Sequence, residues 1–159
     1  MISLLLAFAA QTDSGRLPPA GPLPPPPTEE QAVLQPVNAL FAGIAAHDGG
    51  AINALLVPNG GASVVTEGPN GSRSVQRRSW AELLSRVTTS TDRLEERLSD
   101  PAIESDGSIA MVWGNYVFLI NGKVDHCGID HFNLVRDSSG AWKIADASWS
   151  VRTRGCPAQ

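Results

Sequence analysis

From residue 28 onward the apolar positions first keep a helical period and then a strand period. Val33, Leu34, Val37, Leu40, Phe41 and Ile44 recur at spacings of one, three and four, which puts them on a single helical stripe able to cover a sheet. Ahead of the stripe, Thr28-Glu29-Glu30-Gln31 matches a capping box, in which two side chains satisfy orphan amides of the first turn. Pro36 either kinks a helix begun at Glu29 or opens a helix that starts at Pro36 itself. Asp48 can cap a second, short helix carrying Ile52, Leu55 and Leu56, ended by Pro58 and Asn59-Gly60-Gly61. Ala62 to Thr66 reads as strand and Gly68-Pro69-Asn70-Gly71 as a reversal. Ser79-Trp80-Ala81-Glu82 is another capping box, followed by Trp80, Leu83, Leu84 and Val87 on one helical face. Just before it, Arg73, Arg77 and Arg78 read as a solvated loop cluster in preference to an anion site. Leu94 to Leu98 favours helix by propensity, but the rest of the chain is sheet, and the segment is read as strand.

Beyond Ser108 three β-rich runs are separated by Asn121-Gly122 and by Asp137 to Gly140. Asn-Gly supplies two residues at positive φ, and such a turn fixes the pairing of its strands. A two-residue turn there places Val117 opposite His126, Asn115 opposite Gly128 and Trp113 opposite Asp130. A regular four-residue loop at Asp137 to Gly140 places Asp130 opposite Ala147. Alternation then predicts one face with Met111, Trp113, Asn115, His126, Asp130, Phe132, Leu134, Ala145, Ala147 and Trp149. The other face carries Val112, Tyr116, Phe118, Cys127, Ile129, His131, Asn133, Ile144 and Asp146, with His131 opposite Asp146. Both are apolar enough to need cover. Helices cover one, and a second copy of the chain is the economical cover for the other, so a homodimer through the sheet face is expected.

Composition narrows the function classes. Lys and Arg total 12 against 16 Asp and Glu, a net charge of -4, which argues against nucleic acid as a partner. Two cysteines and three histidines give no all-cysteine zinc site and no paired zinc-finger spacing, leaving only a mixed histidine and carboxylate site open, and the reading calls for no metal and no cofactor. Residues 1–10 read as a signal segment, because Ile2 to Ala10 is apolar and ends in Ala7-Phe8-Ala9, a small-x-small cleavage pattern. Residues 11–27 read as a Pro-rich linker. The folded domain is then 28–156, and the mature protein is expected in the periplasm or secreted, with no membrane partner. The alternative is a cytoplasmic chain with a frayed apolar N-terminus. Cys127 and Cys156 would pair in an oxidising compartment and stay free thiols in the cytosol.

The order helix, short helix, strand, helix and long hairpins, closing with Gly128-Ile129-Asp130-His131-Phe132-Asn133-Leu134-Val135-Arg136 and Gly140-Ala141-Trp142-Lys143-Ile144, resembles the nuclear transport factor 2-like superfamily. It looks like the SnoaL-like and lumazine-binding-like bacterial branches. The resemblance covers Thr28 to Arg152 and implies an α+β fold, a cone in which a curved antiparallel sheet wraps around three helices and leaves a pocket. Ala147-Ser148-Trp149-Ser150 is similar to the last strand of the ketosteroid isomerase branch, where a Trp lines the steroid pocket, which makes the face bearing Trp149 the concave one. The catalytic Tyr and Asp of that branch find no matching positions here, so ketosteroid isomerisation is not implied.

On this reading Trp113, Asn115, Phe132 and Trp149 line a ligand pocket together with His126 and Asp130. A few polar groups in an aromatic-lined hollow suit a small, mostly apolar or aromatic molecule. A noncatalytic binding domain is the first expectation, with Asp130 locking the core by accepting hydrogen bonds from Trp113 or Trp149. The alternative is a cofactor-independent isomerase, cyclase or dehydratase, in which Asp130 and His126 transfer protons.

Overall fold

The computed structural model describes residues 27–157, so the expected signal segment and almost all of the Pro-rich linker lie outside the described residues. The element order is α1 (Glu29–Ala46), α2 (Gly49–Asn53), β1 (Leu56–Glu67), β2 (Arg73–Ser79), α3 (Trp80–Thr89), β3 (Leu94–Ser105), β4 (Ile109–Ile120), β5 (Lys123–Arg136) and β6 (Trp142–Val151). The six strands form one sheet in the order β2-β1-β6-β5-β4-β3, antiparallel throughout except where β1 runs parallel to β6.

Both expected capping boxes form, at Thr28 with Gln31 and at Ser79 with Glu82. The first settles where α1 begins: the helix starts at Glu29 and runs through Pro36. Its stripe packs inward, with Val33 and Val37 fully buried and Leu34, Leu40, Phe41 and Ile44 packed against the core. Phe41 meets Phe132 of β5 edge-on at 6.0 Å. The second helix is shorter than its apolar residues suggest, since Leu56 already opens β1. One further strand departs from expectation. The arginine-rich stretch before α3 is the edge strand β2 and not a loop, its exposed polar side chains suiting an unpaired edge. At the other edge β3 extends to Ser105, with a break in pairing between Ser99 and Ala102, where Asp100 sits at φ 47° ahead of Pro101.

The Asn121-Gly122 turn closes as expected, with Ile120 opposite Lys123 and Leu119 opposite Val124. Asp125 is then an extra residue, and beyond this bulge Phe118 faces His126, Tyr116 faces Gly128 and Gly114 faces Asp130. One inserted residue exchanges the faces of β4 relative to β5. Met111, Trp113 and Asn115 therefore belong to the outer face, whereas Val112, Tyr116 and Phe118 point with His126 and Asp130 into the hollow. Between β5 and β6 two irregularities cancel. The loop is five residues long, leaving Arg136 opposite Trp142, and Ala145 is a second bulge. Asp130 thus faces Trp149, not Ala147, but both stay on the expected face. Between the two irregularities Ile144 turns inward opposite Leu134 and is fully buried. His131 faces Ser148 and Asp146 faces Asn133, so the expected pairing of His131 opposite Asp146 does not occur.

Candidate functional site

The hollow between the curved sheet and the helices contains a cavity of about 640 Å³, within the range that accepts a small organic ligand. Leu40 and Ile44 of α1, Leu83 and Leu84 of α3, and Phe132 and Trp149 of the sheet are among its apolar walls. The Trp80 indole, also on the wall, is fixed by donating to the Val57 carbonyl at 3.1 Å. Polar groups enter this lining at a few defined places.

The deepest is Asp130, whose residue surface is only 2% exposed. Its Oδ2 is buried and receives no hydrogen bond from any N–H or O–H donor among the described residues. The group beside it is a second carboxyl, Glu96 from β3, two strands away, and both side chains line the cavity. The position on the diagonal between them is Tyr116, and the glycines beside it, Gly114 opposite Asp130 and Gly128 opposite Tyr116, admit the close approach of Leu98 and of the Ser150 backbone. Two carboxyls can hydrogen-bond to each other only through a proton held on one of them. Burial pushes the Asp130 pKa up, and the Glu96 charge and hydrogen bond push it further. Burial also raises Glu96, against the lowering effect of the hydrogen bond from Asp130. Both carboxyls are raised, so the pair keeps a shared proton above the ordinary carboxylate range.

Tyr116 of β4 is buried nearby, 2% exposed, its hydroxyl donating to the Ser150 carbonyl at 2.9 Å. Burial, and then the charges of Asp130 and Glu96, hold that phenol in its neutral form. His126 also lines the cavity: its ring stacks on Phe118 at 5.0 Å and meets Tyr116 edge-on at 5.6 Å. Its Nδ1 is taken by Asp125 Oδ2 at 2.8 Å, which leaves Nε2 as the ring nitrogen open to a ligand.

Of the residues expected from sequence, Asp130, His126, Phe132 and Trp149 come together on the cavity wall. Trp113 and Asn115 do not; the Asp125 bulge turns both outward, and Trp113 is 48% exposed beside His131. Neither Trp113 nor Trp149 donates to Asp130, so the expected core-locking bonds are not made. The residue that sequence reasoning missed is Glu96. Its signal was present: once Leu94 to Leu98 is read as strand, alternation puts Glu96 on the inward face between Leu94 and Leu98.

No protein-family model matches the chain, and no curated protein matches its sequence. Solved structures do match in shape. A protein of unknown function from Mycobacterium tuberculosis superposes with a TM-score of 0.63 at 17% identity, over 78% of this chain and 72% of that one. A nuclear transport factor 2-like protein with a cystatin-like fold from Novosphingobium aromaticivorans gives 0.62 at 14% identity, over 80% and 84%. A nuclear transport factor 2-like superfamily protein from Salmonella enterica gives 0.60 at 16%, over 82% and 95%. Likeness at these identities is a likeness of fold. The chain therefore has the α+β nuclear transport factor 2-like fold, with N-terminal helices on a six-stranded, mostly antiparallel curved sheet.

Proposed function

We propose that the domain takes a small, mostly apolar carbonyl compound into the cavity and moves a proton on it with its own carboxyl groups, as in an isomerisation or a dehydration. The observation that carries this reading is the Glu96 and Asp130 pair inside an apolar hollow. A buried carboxyl without donors costs stability, and a purely structural role would supply donors to offset that cost. Asp130 Oδ2 has none. In the proposed reaction the Glu96 carboxylate removes a proton from the carbon next to the substrate carbonyl. The protonated Asp130 donates a hydrogen bond to the oxygen on which negative charge develops. Isomerisation is completed when Glu96 returns the proton to another carbon, and dehydration when Asp130 gives its proton to a departing hydroxyl. After dehydration Glu96 passes its proton to Asp130, which restores the pair with no net proton taken up, and His126, held by Asp125 and stacked on Phe118, exchanges protons with the solvent side.

Cyclic β,γ-unsaturated ketones and β-hydroxy ketones incubated with the protein in heavy water test this by mass spectrometry. The wild-type protein is expected to speed deuterium uptake, isomerisation or water loss, and Glu96→Gln to lower that rate by about 10²- to 10⁴-fold. Ketones that bind by calorimetry but react no faster than in buffer would reduce the domain to a binding module.

We also propose export and self-association. The bond between Cys127 and Cys156 supports an oxidising compartment, and cell fractionation checks it. Exposed Trp113 and Ile109 on the outer sheet face support pairing of two copies there. Light scattering should give twice the chain mass, falling to one with Trp113→Glu.

A further inference from the structure

The cavity has a second polar end. Strand alternation splits the arginines that sequence reading grouped together: Arg77 faces outward and pairs with Asp146 at 3.6 Å, whereas Arg78 lines the cavity, half-buried. Arg78 donates to the Gln76 side-chain oxygen and makes no ion pair among the described residues. Arg86 of α3 lines the same cavity and also makes none. Arg78 lies on β2 just ahead of α3 and Arg86 in the last turn of α3, and both act on the Glu82 carboxyl, after the dominant hydrogen bonds from Ser79. Glu82 offsets part of their charge but forms no ion pair with either, its Oε2 accepting from the Ser79 amide at 2.7 Å and hydroxyl at 2.9 Å. The acids of the lining are Glu96, Asp130 and Asp125, the last already paired with His126 at 2.8 Å.

Arg78 on β2 and Asp130 on β5 are three strand spacings apart. Arg78 shares a transverse row with Ala62, Ala147 and Phe132, so Asp130 is also displaced two residues along its strand. Together these steps span on the order of 15 Å along the sheet and less across the curved hollow. The carboxyl pair repels an anion at its own end, and the guanidinium groups attract one at theirs, which orients a polar-ended molecule in one sense.

We propose that the molecule held here is an amphiphile whose oxyanion, a carboxylate or phosphate, binds Arg78 and Arg86 while its apolar body runs toward Glu96 and Asp130. The inference rests on the cavity being the ligand site and adds to it the charge and reach of the ligand. A molecule too short to span the two ends cannot satisfy both.

Decanoate and decanol, which share a chain and differ in head-group charge, test it by calorimetric titration of the full chain at low salt. Wild-type protein is expected to bind decanoate about tenfold more tightly than decanol, with added salt narrowing the gap. The double variant Arg78→Gln, Arg86→Gln is expected to lose that preference while its decanol affinity and melting temperature stay unchanged. Equal affinities in the wild-type protein, or equal weakening of both probes in the variant, would overturn the assignment. Decanol binding without a decanoate preference sinks this inference alone, and failure of both probes to bind sinks the cavity reading with it.

Discussion

Replacing Asp130 by Asn removes one of two buried carboxyls at nearly constant volume, and its effect on stability follows from counting protons. In the folded chain both Glu96 and Asp130 are shifted upward, each chiefly by burial. The unfolded chain releases these protons near the ordinary values, about 3.9 for Asp and 4.3 for Glu. Stability is therefore full below those values, where both states are protonated, and falls as pH rises toward the folded pKa values. Wherever the folded state holds one proton more than the unfolded, the slope is about 1.4 kcal/mol per pH unit. Between about pH 5 and pH 7 the shared proton alone accounts for a loss of about 2.7 kcal/mol. In Asp130→Asn the Asp130 proton leaves the balance while the burial that raises Glu96 stays, so the slope should fall by about 1.4 kcal/mol per pH unit and keep only the share of Glu96. Urea unfolding followed by Trp fluorescence, with the disulfide intact, gives both curves, and effects common to the two proteins cancel in their difference. Parallel curves over this range would refute the shared proton.

Gly128→Ala should destabilise the fold by about 2–3 kcal/mol, because the added Cβ would collide with the Ser150 carbonyl oxygen, the acceptor of the Tyr116 hydroxyl; chemical denaturation of the variant checks this. Reducing the Cys127 and Cys156 bond opens a loop of 29 residues, and chain entropy puts the cost at about 3.6 kcal/mol, read as a lower urea midpoint in reductant. Trp113→Ser should leave ligand affinity unchanged and shift the stability of the single chain by no more than about 0.5 kcal/mol, since Trp113 lies outside the cavity.

Much of the architecture was legible because its signals are local. The capping boxes at Thr28 and Ser79, the apolar stripe from Val33 to Ile44 and the Asn121-Gly122 turn each depend on neighbours within a few residues, and each forms. The site was less legible because a face assignment depends on every residue between the turn and the site. The bulge at Asp125 has no local signature, and it moved Trp113 and Asn115 out of the hollow while bringing Tyr116 and Phe118 in. On β5 and β6 the longer loop and the Ala145 bulge offset each other, so Asp130, Phe132 and Trp149 kept their expected face. Glu96 escaped notice for a different reason. Its segment has helical propensity, and only pairing with β4 makes it a strand that directs a carboxyl inward.

The shared proton is most directly tested by carbon NMR of the Asp130 Cγ and Glu96 Cδ resonances across a pH titration of the native protein. Asp130 is expected to remain protonated through neutral pH and Glu96 to titrate above the ordinary carboxylate range, with Glu96→Gln lowering the Asp130 value by removing the neighbouring charge. Two independent titrations near pH 4 would show that the carboxyls ionise as solvated groups, and would contradict the account.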